Sequence, residues 1–405
     1  MTPSLGVRVC GPLSPYRDGL WKDLLARGYS PTTAKILLIL ASHLSRWLEE
    51  EAMPPSALTR AQIDAFLTHR RRRGTTWRLT PRGLEPILLY LRSRGVVPLP
   101  EPPPTDDSPR ARLLREYETY LLKERGVSVP TASSYLRVSG RFLTGLSEPE
   151  DPNHSLDLSR LSTPTVSQFL LQVARESSVR QAKLTVTALR SFLGYLHVRG
   201  QCGDLSGALP AVAGYRLSGL PKAIGDDEVR RLLESCNRET ATGCRDLAIL
   251  LLLCRLGLRA CEVAVLEVGD VRWVHGELHV RGKGSEGRLP LLHDVGEAVA
   301  NYLRDGRPRS TSPRIFLQAS APFRDLSPKT VVKIVRRAAV RAGLPPIAAH
   351  RLRHTAGTTM LRQGASLAEI AHVLRHRSID TTAIYAKVDR RALRALARRW
   401  PGGAR

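Results

Sequence analysis

Apolar positions in the first half of the chain recur at helical spacing, in blocks that open on Ser or Thr and close on Gly, and the block occurs twice. Leu24, Arg27, Gly28, Ser30, Thr33, Ala34 and Leu38 recur 98 residues later as Leu122, Arg125, Gly126, Ser128, Thr131, Ala132 and Leu136. Leu58, Phe66 and Leu67 recur as Leu161, Phe169 and Leu170, and Tyr90-Leu91 with Arg94-Gly95 as Tyr195-Leu196 with Arg199-Gly200. The offset grows slowly along the block, as loop insertions make it do. Amphipathic helices match one another by chance through their apolar stripes, but a stripe does not demand matching Gly and Arg positions. The pattern therefore reads as a duplicated helical unit. In each copy a second helix opens at Thr59 or Thr163 and the last helix ends at Gly95 or Gly200.

The Pro-rich stretch Pro98 to Pro104 separates the copies as a stiff linker. A second boundary falls at Leu217 to Ile224, where Gly219, Pro221 and Gly225 interrupt the helical pattern. Asp226-Asp227-Glu228 then opens a new helix, its acids suited to the positive end of the helix dipole. Farther on, Leu278 to Arg281 and Arg288 to Leu291 read as two strands joined by the Gly-rich turn Gly282 to Gly287. The predicted fold is mainly α with a small β-sheet, in domains spanning 1–100, 106–215 and 221–405, the last of α+β type.

A chain of 405 residues is too long for one ordinary core, which agrees with that division. Its formal charge of +25 is unevenly spread: +7 over residues 1–105, +3 over 106–220 and +15 over 221–405. Such an excess favours a polyanionic partner, because each Lys or Arg set beside a phosphate releases condensed counterions. Basic charge alone also fits a merely Arg-rich protein, so the motifs must decide. The six cysteines form no Cys-x-x-Cys pair and no regular spacing, which speaks against a zinc site or a disulfide framework. The longest apolar run, Leu247 to Cys254, is far short of the roughly 20 residues that cross a bilayer. The first 30 residues lack a secretory pattern. A soluble cytoplasmic protein without metal or cofactor is expected.

The chemistry-bearing residues come in an ordered series over the last third of the chain. Gly257-Leu258-Arg259-Ala260-Cys261-Glu262 is followed by Arg281-Gly282-Lys283-Gly284, His350-Arg351-Leu352-Arg353-His354-Thr355, Leu374-Arg375-His376-Arg377 and Tyr385-Ala386-Lys387. Breaking a phosphodiester without a metal requires a nucleophile, neutralisation of the charged phosphorane and a proton for the leaving oxygen. Arg259 and Arg353 suit the phosphate, since a guanidinium stays charged and can give two parallel hydrogen bonds. Lys283, in a glycine-flanked turn, can approach a duplex and give a proton to the leaving oxygen. His350 lies three residues before Arg353, on the same helical face, and can serve as acid or base near neutral pH. His376 can support the phosphate by a hydrogen bond, and Tyr385 is the candidate nucleophile. His354 is expected to pack or cap.

Taken singly, each of these has an ordinary reading. Arg259 can be a solvated arginine paired with a surface Glu262, Lys283 a turn lysine and Tyr385 a core tyrosine. A zinc shared by His350, His354 and His372 or His376 is a further alternative, although it lacks a suitably placed Glu and a third clear ligand.

The ordered series Arg, Lys, His-x-x-Arg, His, Tyr resembles the signature of the tyrosine recombinases, the family of phage integrases and Xer-type recombinases. The resemblance covers residues 226 to 398 well and 106 to 200 in pattern. It implies Arg259, Lys283, His350, Arg353 and His376 around the phosphate, with Tyr385 forming a 3′-phosphotyrosyl link. It further implies a core-binding (SAM-like) domain at 106–215 and a catalytic domain at 221–405. Double-stranded DNA is the expected partner, held by a tetramer on two duplexes that exchange strands through a Holliday junction, alone or alongside related recombinases. The C-terminal segment Arg390 to Trp400, with Leu393 and Leu396, would be the helix that contacts a neighbouring subunit. A cytoplasmic, nucleoid-associated location follows, and no cofactor, metal or membrane.

Two features depart from the family pattern. Arg375 stands where Gly is common before the histidine, so that turn is expected to form without left-handed backbone. The extra copy at 1–100 points to a mobile-element integrase or transposase, with the run Arg70 to Arg73 a candidate for gripping flanking DNA or a partner subunit. The competing readings are a type IB topoisomerase, which uses the same chemistry on one duplex, and a catalytically idle architectural protein derived from a recombinase.

Overall fold

The computed structural model describes residues 6–100, 106–146, 158, 161–210, 222–282, 285–376, 378 and 381–387. Lys283, most of the two boundary stretches and the expected helix Arg390 to Trp400 lie outside them. The chain divides into two compact units, residues 1–100 with 216–405, and residues 101–215.

The first unit begins with four helices, α1 (Arg17–Ala26), α2 (Pro31–Glu50), α3 (Arg60–Arg72) and α4 (Pro81–Ser93). The Ser30 hydroxyl caps α2 by accepting from the Thr33 N–H at 3.2 Å, with Pro31 in the first turn. Along α2, Ala34, Leu37, Leu38, Ala41, Leu44 and Leu48 stand at i, i+3, i+4, i+7, i+10 and i+14, one helical stripe, and are buried in one core with Leu24, Ile87 and Leu91.

The second unit repeats this order in α5 (Pro109–Thr119, continued by a π-helical turn to Glu124), α6 (Val129–Thr144), α7 (Thr163–Glu176) and α8 (Val179–Val198). Its core is built around Tyr117, with the rings of Phe192 and Tyr195 at 5.0 and 5.2 Å. The likeness to the first four helices extends to backbone and packing. Gly28 and Gly126 both take positive φ, +83° and +57°, as do Gly95 and Gly200 at +69° and +68°. Arg94 lies over Tyr90 at 5.5 Å and Arg199 over Tyr195 at 5.9 Å. The periodicity seen in sequence thus corresponds to two successive sets of four helices that share glycine conformations and an Arg–Tyr contact at matching positions.

The rest of the first unit runs α9 (Asp226–Glu234), α10 (Ala241–Cys254), α11 (Ala260–Val265), β1 (Val271–Arg272), β2 (Glu277–Gly282), β3 (Ser285–Pro290), α12 (His293–Asn301), α13 (Pro328–Arg341), α14 (Ala349–Arg362), α15 (Leu367–Val373) and α16 (Ala383–Ala386). Every residue from Leu247 to Cys254 is buried, so α10 forms the axis on which α9, α11, α12, α13 and α14 pack. The chain is therefore mainly helical with one small sheet, as its pattern predicts.

That sheet is antiparallel in the order β1-β2-β3, with Val271 opposite Leu278 and Gly282 opposite Ser285. Leu278, Val280 and Leu289 face the core. Pairing extends through most of the stretch expected to be a turn, because backbone hydrogen bonding between strands does not require apolar side chains. The two-residue strand β1 carries no alternation to betray it. Arg281 anchors the hairpin by donating to Asp270 and, at 3.0 Å, to Glu267.

Candidate active site

α10 ends at a turn that requires Gly257. Its φ is +62°, and a Cβ there would lie 2.4 Å from the Leu374 side chain. The turn delivers Arg259 to the N-cap of α11, where the buried carboxylate of Glu262 accepts from the Arg259 backbone N–H at 2.8 Å and from its guanidinium at 2.7 Å. Glu262 is 1% exposed and also accepts from Arg375 Nη2 at 2.7 Å. Burial opposes its ionisation, but the Arg259 N–H bond, the charge of Arg375 and the Arg259 side chain outweigh it and hold the carboxyl below its usual range. Glu262 is thus the buried hub of two arginines, not a surface partner of one.

From α14, Arg353 reaches across the same region. Only 2% exposed, its guanidinium donates to the carbonyls of Gly257 and Leu374, tying the turn before α11 to the turn after α15. Burial, then the neighbouring charge of Arg259, lowers its pKa to about 10, so it remains a cation at neutral pH.

The turn after α15 contains a correction to the sequence reading. Arg375 has φ +52°, which is the left-handed backbone that a Gly would have supplied without strain. It is held there by the ion pair with Glu262 and by donation from its Nη1 to the Val373 carbonyl at 3.0 Å. Its stem lies over Gly287 of β3, where a Cβ would meet it at 2.8 Å. The Arg375 carbonyl in turn accepts from Arg259 Nη2 at 3.3 Å.

His376 follows, with Nδ1 hydrogen-bonded to the buried Thr382 hydroxyl at 2.7 Å. Its pKa falls to about 4, first through burial and then through the charges of Arg353, Arg259, His350 and His354. It is therefore neutral at physiological pH, and these charges all act on one imidazole.

On α14, His350, Arg353, His354 and Gly357 recur at three and four residues, one helical face. The rings of His350 and His354 are 4.5 Å apart, and His350 is exposed. Tyr385, 1% exposed on α16, brings its hydroxyl to 3.3 Å from His354 Nδ1. Its ring fits over Gly357, where a Cβ would lie 2.5 Å from Cζ. Burial pushes the phenol up to about 12 against the opposing pull of Arg353, so it is protonated at rest. His354 itself is lowered to about 4 by burial, His350 and Arg353.

The structure thus gathers Arg259, Arg353, His350, His376 and Tyr385 in one region, while Lys283 lies outside the described residues. Sequence reasoning missed His354 on the tyrosine hydroxyl, although its i+4 spacing from His350 was the available signal. Glu262 and Arg375 were missed as a pair because nothing local links residues that far apart. Among the described residues, no group of three or more His, Cys, Asp or Glu is placed to hold a metal ion. Chemically, three guanidiniums around one carboxylate leave uncompensated positive charge beside a tyrosine hydroxyl that is hydrogen-bonded to a neutral histidine.

Comparison with known proteins places these features in a wider set. The profile of the phage integrase family matches residues 222–391. A Sinorhizobium fredii protein provisionally named integrase/recombinase y4rA is 40% identical over 400 residues, covering 97% of this chain and 96% of its own. The tyrosine recombinase XerD of Listeria monocytogenes is 30% identical over 290 residues, covering 70% of this chain and 96% of its own. In fold, the chain is similar to lambda integrase residues 75–356, crystallised as a dimer on a core site, with a TM-score of 0.54 at 20% identity over 72% of this chain and 98% of that one.

Proposed function

The chain belongs to the phage integrase family of tyrosine recombinases, and on that premise we propose that it is a site-specific recombinase whose substrate is double-stranded DNA and whose nucleophile is Tyr385. The observation that carries the assignment of the nucleophile is the meeting of the Tyr385 hydroxyl with His354 on the helix that also carries His350 and Arg353. The Tyr385 oxygen attacks phosphorus, the bond from phosphorus to the 5′-oxygen breaks, and a 3′-phosphotyrosyl link forms. The phenolic proton passes to a histidine: neutral His354 holds the hydroxyl, and His350 stands next to it. Arg259 and Arg353 neutralise the phosphorane, His376 adds a hydrogen bond, and Lys283 gives a proton to the leaving 5′-oxygen. The free 5′-hydroxyl of another strand reverses the step, so bond energy is conserved and neither ATP nor a divalent metal is needed.

Residues 106–215 serve as the core-binding domain and 221–405 as the catalytic one, each with its own apolar core. Exchange between two duplexes calls for an oligomer, four protomers passing through a Holliday junction. The protein acts for a mobile element in the cytoplasm, where its DNA is.

The test is a nicked suicide duplex spanning the end of the protein's own genetic element, incubated in EDTA and run on a denaturing gel. A covalent protein–DNA band is expected, absent in Tyr385→Phe while DNA binding persists. Binding without a band, in every metal condition, would support the architectural reading instead. Dependence of the band on Mg²⁺ would sink the tyrosine mechanism.

A further inference from the structure

The run Arg70 to Arg73 is an obvious basic feature of the extra N-terminal copy, yet the structure uses part of it internally. Arg70 is 5% exposed, stacks 4.8 Å from the Trp77 ring and donates to the Arg78 carbonyl at 3.1 Å. Arg71 donates to the Leu79 carbonyl at 3.1 Å, and Arg73 lies 3.8 Å from Glu50. What Arg70 builds is the loop carrying Arg78, whose φ of +49° is left-handed. A non-glycine residue there is strained and persists only where its surroundings impose it.

Arg78 faces a cleft of about 760 Å³ lined also by Arg27, Tyr29, Arg82, Glu85 and Arg324. Phe323, beside Arg324, packs against Gly28 so closely that a Cβ there would meet its ring at 2.0 Å, which brings the loop of residues 318–324 to the cleft wall. Among the described residues, Arg27 is the one of these four arginines with an acidic partner, Asp23 at 2.8 Å. Arg82 and Arg324 are exposed. Burial raises the Tyr29 phenol, and the charges of Arg27, Arg324 and Arg78 oppose it, so the same cations act on the hydroxyl in the cleft wall. With Arg27 matched by Asp23, the three other guanidiniums face the single carboxylate of Glu85; with a hydroxyl donor among them and room for a chain, they match a phosphodiester backbone, whose two non-bridging oxygens accept from a guanidinium fork.

We propose that this cleft is a second DNA-backbone site, in which Arg78, Arg82 and Arg324 hold phosphates of duplex outside the segment bound at Tyr385. The proposal rests on DNA being the substrate, as read above.

The experiment uses the full chain as Tyr385→Phe, so that covalent trapping does not distort binding, and a labelled 60-bp random-sequence duplex. The affinity is measured against NaCl concentration for this parent, for the added triple change Arg78→Gln, Arg82→Gln, Arg324→Gln, and for Arg71→Gln, Arg72→Gln, Arg73→Gln. Loss of three phosphate contacts lowers the slope of log Kd against log salt by about 2.7, from roughly 0.9 per contact. The first triple should show that drop with an unchanged melting temperature, and the second should change the slope by less than about 1. Equal slopes for parent and first triple, or a larger loss in the second, would overturn the site. A changed sedimentation coefficient with unchanged slope would assign the cleft to an acidic surface of a second copy instead. A parent that binds no duplex would overturn the DNA reading itself, whereas failure of the covalent assay with wild-type Tyr385 would leave this slope comparison standing.

Discussion

Arg375 combines two costs that a glycine would avoid, a left-handed backbone of roughly 1–2 kcal/mol and a buried guanidinium, and it is retained by what Glu262 makes of it. With Glu262 1% exposed between Arg259 and Arg375, removing either cation leaves a buried carboxylate half-compensated. Breaking a buried pair costs about 3–5 kcal/mol, and here the remaining Arg259 keeps the loss at the low end. Arg375→Gly relieves about 1 kcal/mol of strain and is expected to lose a net ~2 kcal/mol, read as a lower urea midpoint with unchanged slope. A variant as stable as the parent would show that backbone relief outweighs the pair. At this scale the sequence was readable only where local spacing carried the information. The i, i+3 relation of His350 and Arg353 is of that kind, but the choice of Arg at position 375 acquires meaning only through Glu262, 113 residues away.

Helix α14 is the element on which the site depends, since one face presents His350, Arg353, His354 and Gly357 and its neighbours are fastened to it. The fastening to the turn after α15 makes the region sensitive to acid. His354 and His376 are both lowered to about 4 when folded, mainly by burial, against about 6.5 in an unfolded chain. Between those values the unfolded chain binds more protons, so stability rises with pH through this window and is lost as pH falls from about 6.5 toward 4. Urea unfolding at pH 4.5, 5.5 and 7 should show the decline, and His376→Gln should flatten it. A stability that does not change over this range would mean that these imidazoles are not desolvated. Most of this element was legible beforehand, from its motif and apolar spacing. The two-residue β1 was not, because two residues hold no period, and neither was the contact of His354 with Tyr385, which depends on where α16 docks.

At the scale of the whole molecule, the two helical stretches share paired left-handed glycines but differ in what surrounds them. Gly28 and Gly126 close the first helix of each copy with φ of +83° and +57°, so either Gly→Ala change carries the left-handed penalty of roughly 1–2 kcal/mol. Their surroundings differ. A Cβ at Gly126 meets nothing within 4 Å, whereas one at Gly28 would lie 2.0 Å from the Phe323 ring. Overpacking of that kind adds about 1–3 kcal/mol, or else forces Phe323 and its loop away from the basic cleft. Gly28→Ala is therefore expected to destabilise the chain by about twice as much as Gly126→Ala. The double change Gly28→Ala with Phe323→Ala should recover the difference, because the colliding ring is gone while the backbone strain remains. Urea midpoints of the four proteins decide it. If Phe323→Ala rescues nothing, the ring does not rest on Gly28 in solution, and the first copy is held to the rest of its unit by other contacts.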